Sequence, residues 1–189
     1  EGAYGDQYRL FWHYNVREII RNGLDAGTSG RFDAFVLANS LEPGIVELRE
    51  VLDIPVISFM EICCFTACSM GERFGLIVPN EKFVPRYREI VHGYGLRNRL
   101  ASIEPLIAYE NTRNFNAAFT DSQQEEACAG EIMATARKAI ANGADTIIAT
   151  STHSIHRHLL LMTPSPPHAG ERAAAVASLF ARRPRAVSY

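Results

Sequence analysis

The chain has 189 residues, 47% of them hydrophobic and 21% charged, with a formal net charge of −2 at pH 7. A chain of that size buries a proper core as one ordinary domain or as two small ones. Its near-neutral charge gives no electrostatic reason to expect nucleic acid or an anionic membrane as partner, and no apolar run reaches the length of a membrane span. The acidic start, Glu1-Gly2-Ala3-Tyr4-Gly5-Asp6, lacks the character of a signal peptide, so a cytoplasmic protein is expected.

Taken in chain order, residues 10–24 place apolar side chains at helical spacing and give way to the turn-rich stretch Asp25-Ala26-Gly27-Thr28-Ser29-Gly30. Residues 32–38 form a short continuous apolar run, the pattern of a strand buried on both faces. Glu42-Pro43-Gly44 is expected to open a helix through Leu52, because proline suits the first helical turn. A strand over 54–59 and a helix over 60–70 follow, and Gly71-Glu72-Arg73 turns the chain into a strand over 74–78. Residues 84–94 read as a helix ended by Gly93 and Gly95, and 101–107 as a strand. The polar stretch 108–121 has the composition of a surface loop or lid. The longest helix spans 122–141, stopped by Asn142-Gly143, and 146–149 is the last clear strand. After Met162 the character changes to Thr163-Pro164-Ser165-Pro166-Pro167 and an Ala- and Arg-rich tail without strand signal.

Strands and helices alternating at this spacing predict an α/β fold with mostly parallel sheets. Two stretches share one plan: glycine, Asp33 and an apolar run ending at Asn39, then glycine, Asp145 and an apolar run ending at Ser151. Residues just past strand C-termini face the ligand crevice in such sheets. The repeat suggests two pseudo-symmetric Rossmann-like (flavodoxin-like) lobes, 1–72 and 73–162, with a crevice between them and a tail over 163–189. The alternative is two ordinary βα units of a single flavodoxin-like sheet. Because the first element is a helix, a first strand is expected to be missing, and the tail reads as a flexible segment, a short helix or the product of a truncated or shifted frame.

The four cysteines are Cys63, Cys64, Cys68 and Cys128, and three share one predicted helix. Cys64 and Cys68 fall on one helix face and Cys63 on another, with no His or Asp close in sequence, so they read as small core residues of a reduced protein rather than metal ligands. His153, His156 and His158 crowd together, but their spacing fits solvated helix-start histidines better than a metal site. No metal is expected.

Several segments together resemble the aspartate/glutamate/hydantoin racemase superfamily, in its hydantoin-racemase-like branch. They are Phe32-Asp33-Ala34-Phe35-Val36 with Glu42-Pro43-Gly44-Ile45, Asp53-Ile54-Pro55-Val56-Ile57, Arg73-Phe74-Gly75-Leu76-Ile77, Tyr94-Gly95-Leu96 and Gly143-Ala144-Asp145-Thr146-Ile147-Ile148. The resemblance covers roughly residues 9–161. It implies a two-lobe enzyme that needs no cofactor and moves a proton at a carbon beside a carbonyl, using one cysteine from each lobe. Those cysteines would stand six residues after Asp33 and Asp145, where this chain has Asn39 and Ser151. An amide has no useful basicity and a serine hydroxyl is a poor base without an activating neighbour.

The candidate catalytic residues are therefore Asn39, Ser151 and His153, the last titrating in the useful range. Ser40, Thr150, Thr152 and Tyr109 are candidate substrate-binding residues, for a small carboxylate or imide oxygen held with backbone N–H groups. Plain helix capping is the competing account of these short polar side chains. The leading expectation is a cofactor-independent racemase or isomerase for an amino-acid-derived or hydantoin-type compound, assembled as a homo-oligomer. The alternatives are an inactive or truncated relative that binds a small carboxylate, and a decarboxylase or diacid isomerase of the same superfamily.

Overall fold

A computed structural model describes residues 7–107, 122–150 and 161–162. The elements within them are α1 (Arg9–Thr28), β1 (Phe35–Leu37), α2 (Ile45–Val51), β2 (Val56–Ser58), α3 (Phe59–Met70), β3 (Phe74–Val78), α4 (Val84–Gly93), β4 (Leu100–Pro105), α5 (Ser122–Ala141), β5 (Thr146–Ala149) and β6 (Leu161–Met162). Short 3-10 turns lie at Glu81–Phe83 and Arg97–Arg99. β1 and β2 pair in parallel as a two-stranded sheet. A second sheet has the order β4-β3-β5-β6, parallel except for the β5–β6 pair. The expected α/β class with mostly parallel sheets is what the chain adopts. β6 was not among the expected strands, since a two-residue pairing is set by the neighbour's edge and leaves no periodic pattern of its own.

β3 is buried along its whole length because helices cover both faces of its sheet. Phe74, Leu76 and Val78 point into a core shared with Met60, Cys63, Cys64 and Ala67 of α3 and with Tyr87 and Val91 of α4. Ile77 and Ile147 point the other way, against Cys128, Ile132, Ala136 and Ala139 of α5. The smaller sheet has its own core, in which Leu37 and Val56 meet Ile45 and Leu48 of α2, with Ile19 and Ile20 of α1 packed against them.

Two expectations need correction. α1 does not stop at the turn-rich stretch but continues to Thr28. Gly23 and Gly27 lie one above the other on its inner face, and a Cβ at Gly27 would come within 2.5 Å of Leu52 Cδ2. Their lack of side chains brings α1 close against α2, and that packing overrides their poor helix propensity. The second correction concerns Glu42-Pro43-Gly44. Helix α2 begins only at Ile45, because Glu42 (φ 53°) and Gly44 (φ 77°) both take left-handed backbone. Pro43 thus sits in a tight turn before the helix rather than in its first turn.

The repeated plan of glycine, Asp and apolar run has a clear role in its second copy. Gly143, at φ 92°, ends α5 with Gly143 N–H donating to Ile140 O and Ala144 N–H to Ala139 O, a Schellman closure. The carboxylate of Asp145 then accepts the backbone N–H of Glu72 at 2.6 Å and of Arg73 at 3.2 Å, locking the start of β3 to the start of β5. Asp33 in the first copy is exposed and makes no such bond among the described residues. A Cβ on Gly71 would fall 2.6 Å from Asp145 Cγ and from Thr146 Oγ1. Gly71→Ala is therefore expected to lower stability by about 1–3 kcal/mol through steric displacement of this lock, read as a lower urea midpoint at unchanged m-value.

Candidate active site

The chain just past β1 and the chain just past β5 meet at one junction. β5 continues one residue past its end through Thr150, whose N–H and Oγ1 both donate to Ile77 O at 3.0 Å. Ser40, three residues beyond β1, reaches across and donates its hydroxyl proton to Thr150 O at 2.7 Å. A carbonyl only accepts, so this bond takes the one Ser40 proton. The 2.7 Å contact between Ser40 Oγ and Tyr87 Oη of α4 is then a bond that Tyr87 donates. All three groups are buried: Ser40 is 9% exposed, Thr150 2% and Tyr87 1%. One buried relay thus joins the two-stranded sheet to the end of the central sheet.

Asn39 lies directly before Ser40 and is exposed. Its Oδ1 accepts Leu41 N–H at 2.9 Å and its carbonyl accepts Glu42 N–H at 3.0 Å, so the residue shapes a tight turn. With Oδ1 engaged, the amide nitrogen makes no hydrogen bond among the described residues and has two N–H groups to present. Ser151 follows Thr150 directly in sequence, and Ser151, Thr152, His153 and Tyr109 lie outside the described residues. Of the seven candidates, the structure brings together Asn39, Ser40 and Thr150. The hydroxyl protons of Ser40 and Thr150 are committed within the protein, so these two build the junction between the sheets.

A cavity of about 390 Å³ opens at the C-terminal ends of β3 and β4, lined by Asn80, Glu81, Lys82, Pro105, Leu106 and Ile107, and none of Asn39, Ser40 and Thr150 is among its lining. That is the end of a parallel sheet at which ligands enter, and the volume suits a small molecule. The α1 start borders this region: Asn80 Nδ2 donates to Gln7 Oε1 at 3.1 Å and Lys82 Nζ to Tyr8 Oη at 2.6 Å.

The α3 cysteines belong to the core. Burial pushes the Cys63 thiol up to about 11 and the Cys64 thiol further, so neither supplies a thiolate near neutral pH. Sequence reasoning missed Glu42, Ser58, Tyr87 and Tyr94. Ser58 caps α3 by accepting Glu61 N–H at 3.1 Å and donates to Glu42 Oε1, to which the Tyr94 hydroxyl also donates. Burial raises the Glu42 carboxyl above the ordinary carboxylate range, against the lowering effect of the Tyr94 bond. The signal available in the sequence was the seven-residue spacing of Tyr87 and Tyr94, which puts both on one face at the two ends of α4.

Residues 15–155 match the family model described as Asp/Glu/Hydantoin racemase. A curated relative, the hydantoin racemase of Pseudomonas sp. (strain NS671), is 31% identical over 101 residues, which are 53% of this chain and 38% of the relative. Among solved structures, the fold is similar to an allantoin racemase from Klebsiella pneumoniae, with TM-score 0.55 and 20% identity over 82% of this chain and 58% of that one. An allantoin racemase from Pseudomonas fluorescens gives TM-score 0.57 and 21% identity over 76% of this chain and 59% of that one. The chain spans less than two thirds of the length of each of these relatives.

Proposed function

We propose, from the premise that this chain belongs to the Asp/Glu/hydantoin racemase family, that it is a racemase or isomerase acting without a cofactor by proton transfer at a carbon beside a carbonyl. Its substrate class is a small hydantoin-type or amino-acid-derived compound, a reading supported by its likeness to a hydantoin racemase and an allantoin racemase. The single observation that supports this reading is the Ser40-to-Thr150 hydrogen bond, 110 residues apart in sequence, which joins the chain just past β1 to the chain just past β5.

In this mechanism the substrate's ring carbonyl oxygen lies toward the Asn39 amide. Removing the adjacent proton moves charge onto that oxygen, and a fixed N–H donor stabilises the developing enolate. His153 removes the proton from one face of the ring carbon, and Ser151 supplies a proton to the other face, its own proton then being replaced from His153. Ser40 and Thr150 hold these neighbours in place.

The test is wash-in of solvent deuterium at the ring α-carbon of a 5-substituted hydantoin, followed by proton NMR. Exchange above the uncatalysed rate, lost by about 100-fold or more in His153→Ala and Ser151→Ala, is the expected result. Exchange that persists in both variants would overturn the residue assignment, and its absence in the parent chain would overturn the activity. A second reading, an inactive relative that binds a small carboxylate, is favoured by one specific observation: the position matched to the family's first cysteine carries Asn39, whose carboxamide already serves to close a turn.

A further inference from the structure

The turn from Asn39 to Gly44 is gripped from both ends of α4. Tyr87, near the start of the helix, bonds Ser40, and Tyr94, at its end, bonds Glu42. The two tyrosines are seven residues apart and therefore share a helix face, while their partners stand two residues apart in the turn. A second grip on Glu42 comes from Ser58 at the N-terminus of α3. Glu42 is also the one non-glycine residue at positive φ among the described residues, at 53°. A side chain other than glycine, aspartate or asparagine adopts that backbone only when its surroundings hold it there.

From this arrangement we infer that Glu42 is a positioning residue: its carboxylate, clasped by Tyr94 and Ser58, fixes the left-handed turn that sets the direction of the Asn39 side chain. The inference rests on the reading of the strand ends as the reaction site, but the clasp itself does not require any activity. Strain of this kind persists where a turn must point one side chain in one direction, and the side chain so directed is three residues upstream. The groups that act on the carboxyl are Tyr94 at the end of α4, Glu61 and Cys64 of α3, and Arg49 of α2, which pairs with Glu61 at 2.5 Å. Burial raises the Glu42 carboxyl, so its ionisation opposes folding. Its contribution to stability is full below the ordinary carboxylate range and declines as pH rises through the raised value.

Amide hydrogen exchange at Leu41 and Ile45 reads the turn directly, because their N–H groups donate to Asn39 Oδ1 and to Glu42 O. Glu42→Ala and the milder Tyr94→Phe are expected to speed exchange at both amides by about fivefold or more, the size of one net hydrogen bond, with the β3–β4 amides unchanged. Glu42→Gln keeps an acceptor of the same shape and is expected to hold protection at or above the parent level. The ratio of parent to Glu42→Gln exchange should grow as pH rises through the carboxyl titration. Leu41 and Ile45 exchange within twofold of the parent in both Glu42→Ala and Tyr94→Phe would overturn the inference, as would a Glu42→Gln loss equal to that of Glu42→Ala. Deuterium wash-in on a 5-substituted hydantoin, run beside it, separates the two questions. An inert parent with the expected amide pattern removes the function and leaves the clasp. An active parent whose kcat is unmoved by Tyr94→Phe despite faster amide exchange removes the positioning role.

Discussion

Asn39→Cys combined with Ser151→Cys is expected to raise hydantoin α-proton exchange by about 100-fold or more over the parent chain, the range that a positioned acid and base contribute. The two substitutions restore thiols at the positions where the resemblance implies them. Asn39 is exposed, so a thiol there keeps a pKa of about 8.5 and is partly ionised at mildly alkaline pH. By contrast, the cysteines already present on α3 are held protonated by burial. Each single variant should gain far less, because the chemistry needs a base on one face of the planar intermediate and an acid on the other. Loss of the Asn39 side-chain bond to Leu41 costs about 1 kcal/mol, too little to unfold the turn while Ser40 and Glu42 remain anchored. Proton NMR in D2O measures the rate. A double variant no faster than the parent would show that the two strand ends do not frame a reaction site.

The second large effect is on stability. Tyr87→Ala is expected to cost about 3–5 kcal/mol, the range for deleting a fully buried aromatic ring, and so a large share of the 5–15 kcal/mol that holds a typical domain. Tyr87 is 1% exposed and packs within the core that joins α3, α4 and the central sheet. Tyr87→Phe keeps the ring and removes the bond to Ser40, so about 1 kcal/mol is expected from that bond. Urea midpoints for both variants separate packing from hydrogen bonding. Equal losses would mean that the hydroxyl, not the ring, dominates.

The parts of the fold that follow from periodicity were legible in the chain. β3, β5 and α5 match their expected spans because long apolar runs and a Gly143 stop leave one consistent reading. The turn at Glu42-Pro43-Gly44 was not legible, since a proline before a helix fits both the first helical turn and the loop preceding it. What decides between them is the left-handed backbone of Glu42, held by Ser58 and Tyr94 from elsewhere in the chain. The extension of α1 through Gly27 has the same origin, a contact with Leu52 that no local pattern announces. Asn39, Ser40 and Thr150 were legible as residues just past strands because strand ends are fixed by the run of apolar residues before them. Tyr87 and Tyr94 were missed because α4 reads first as an amphipathic helix, and their hydroxyls acquire meaning only beside the turn they hold.

The bond that joins the sheets ends on a main-chain oxygen, and every amino acid carries one. Position 150 can therefore change its side chain without opening the junction, whereas position 40 must supply a hydroxyl or its equivalent. The residues on either side of this bond, Asn39 and Ser151, carry none of it. Mutational drift can exchange thiol, amide or hydroxyl at those two places while the architecture endures, so the scaffold and its chemistry are free to evolve at different speeds.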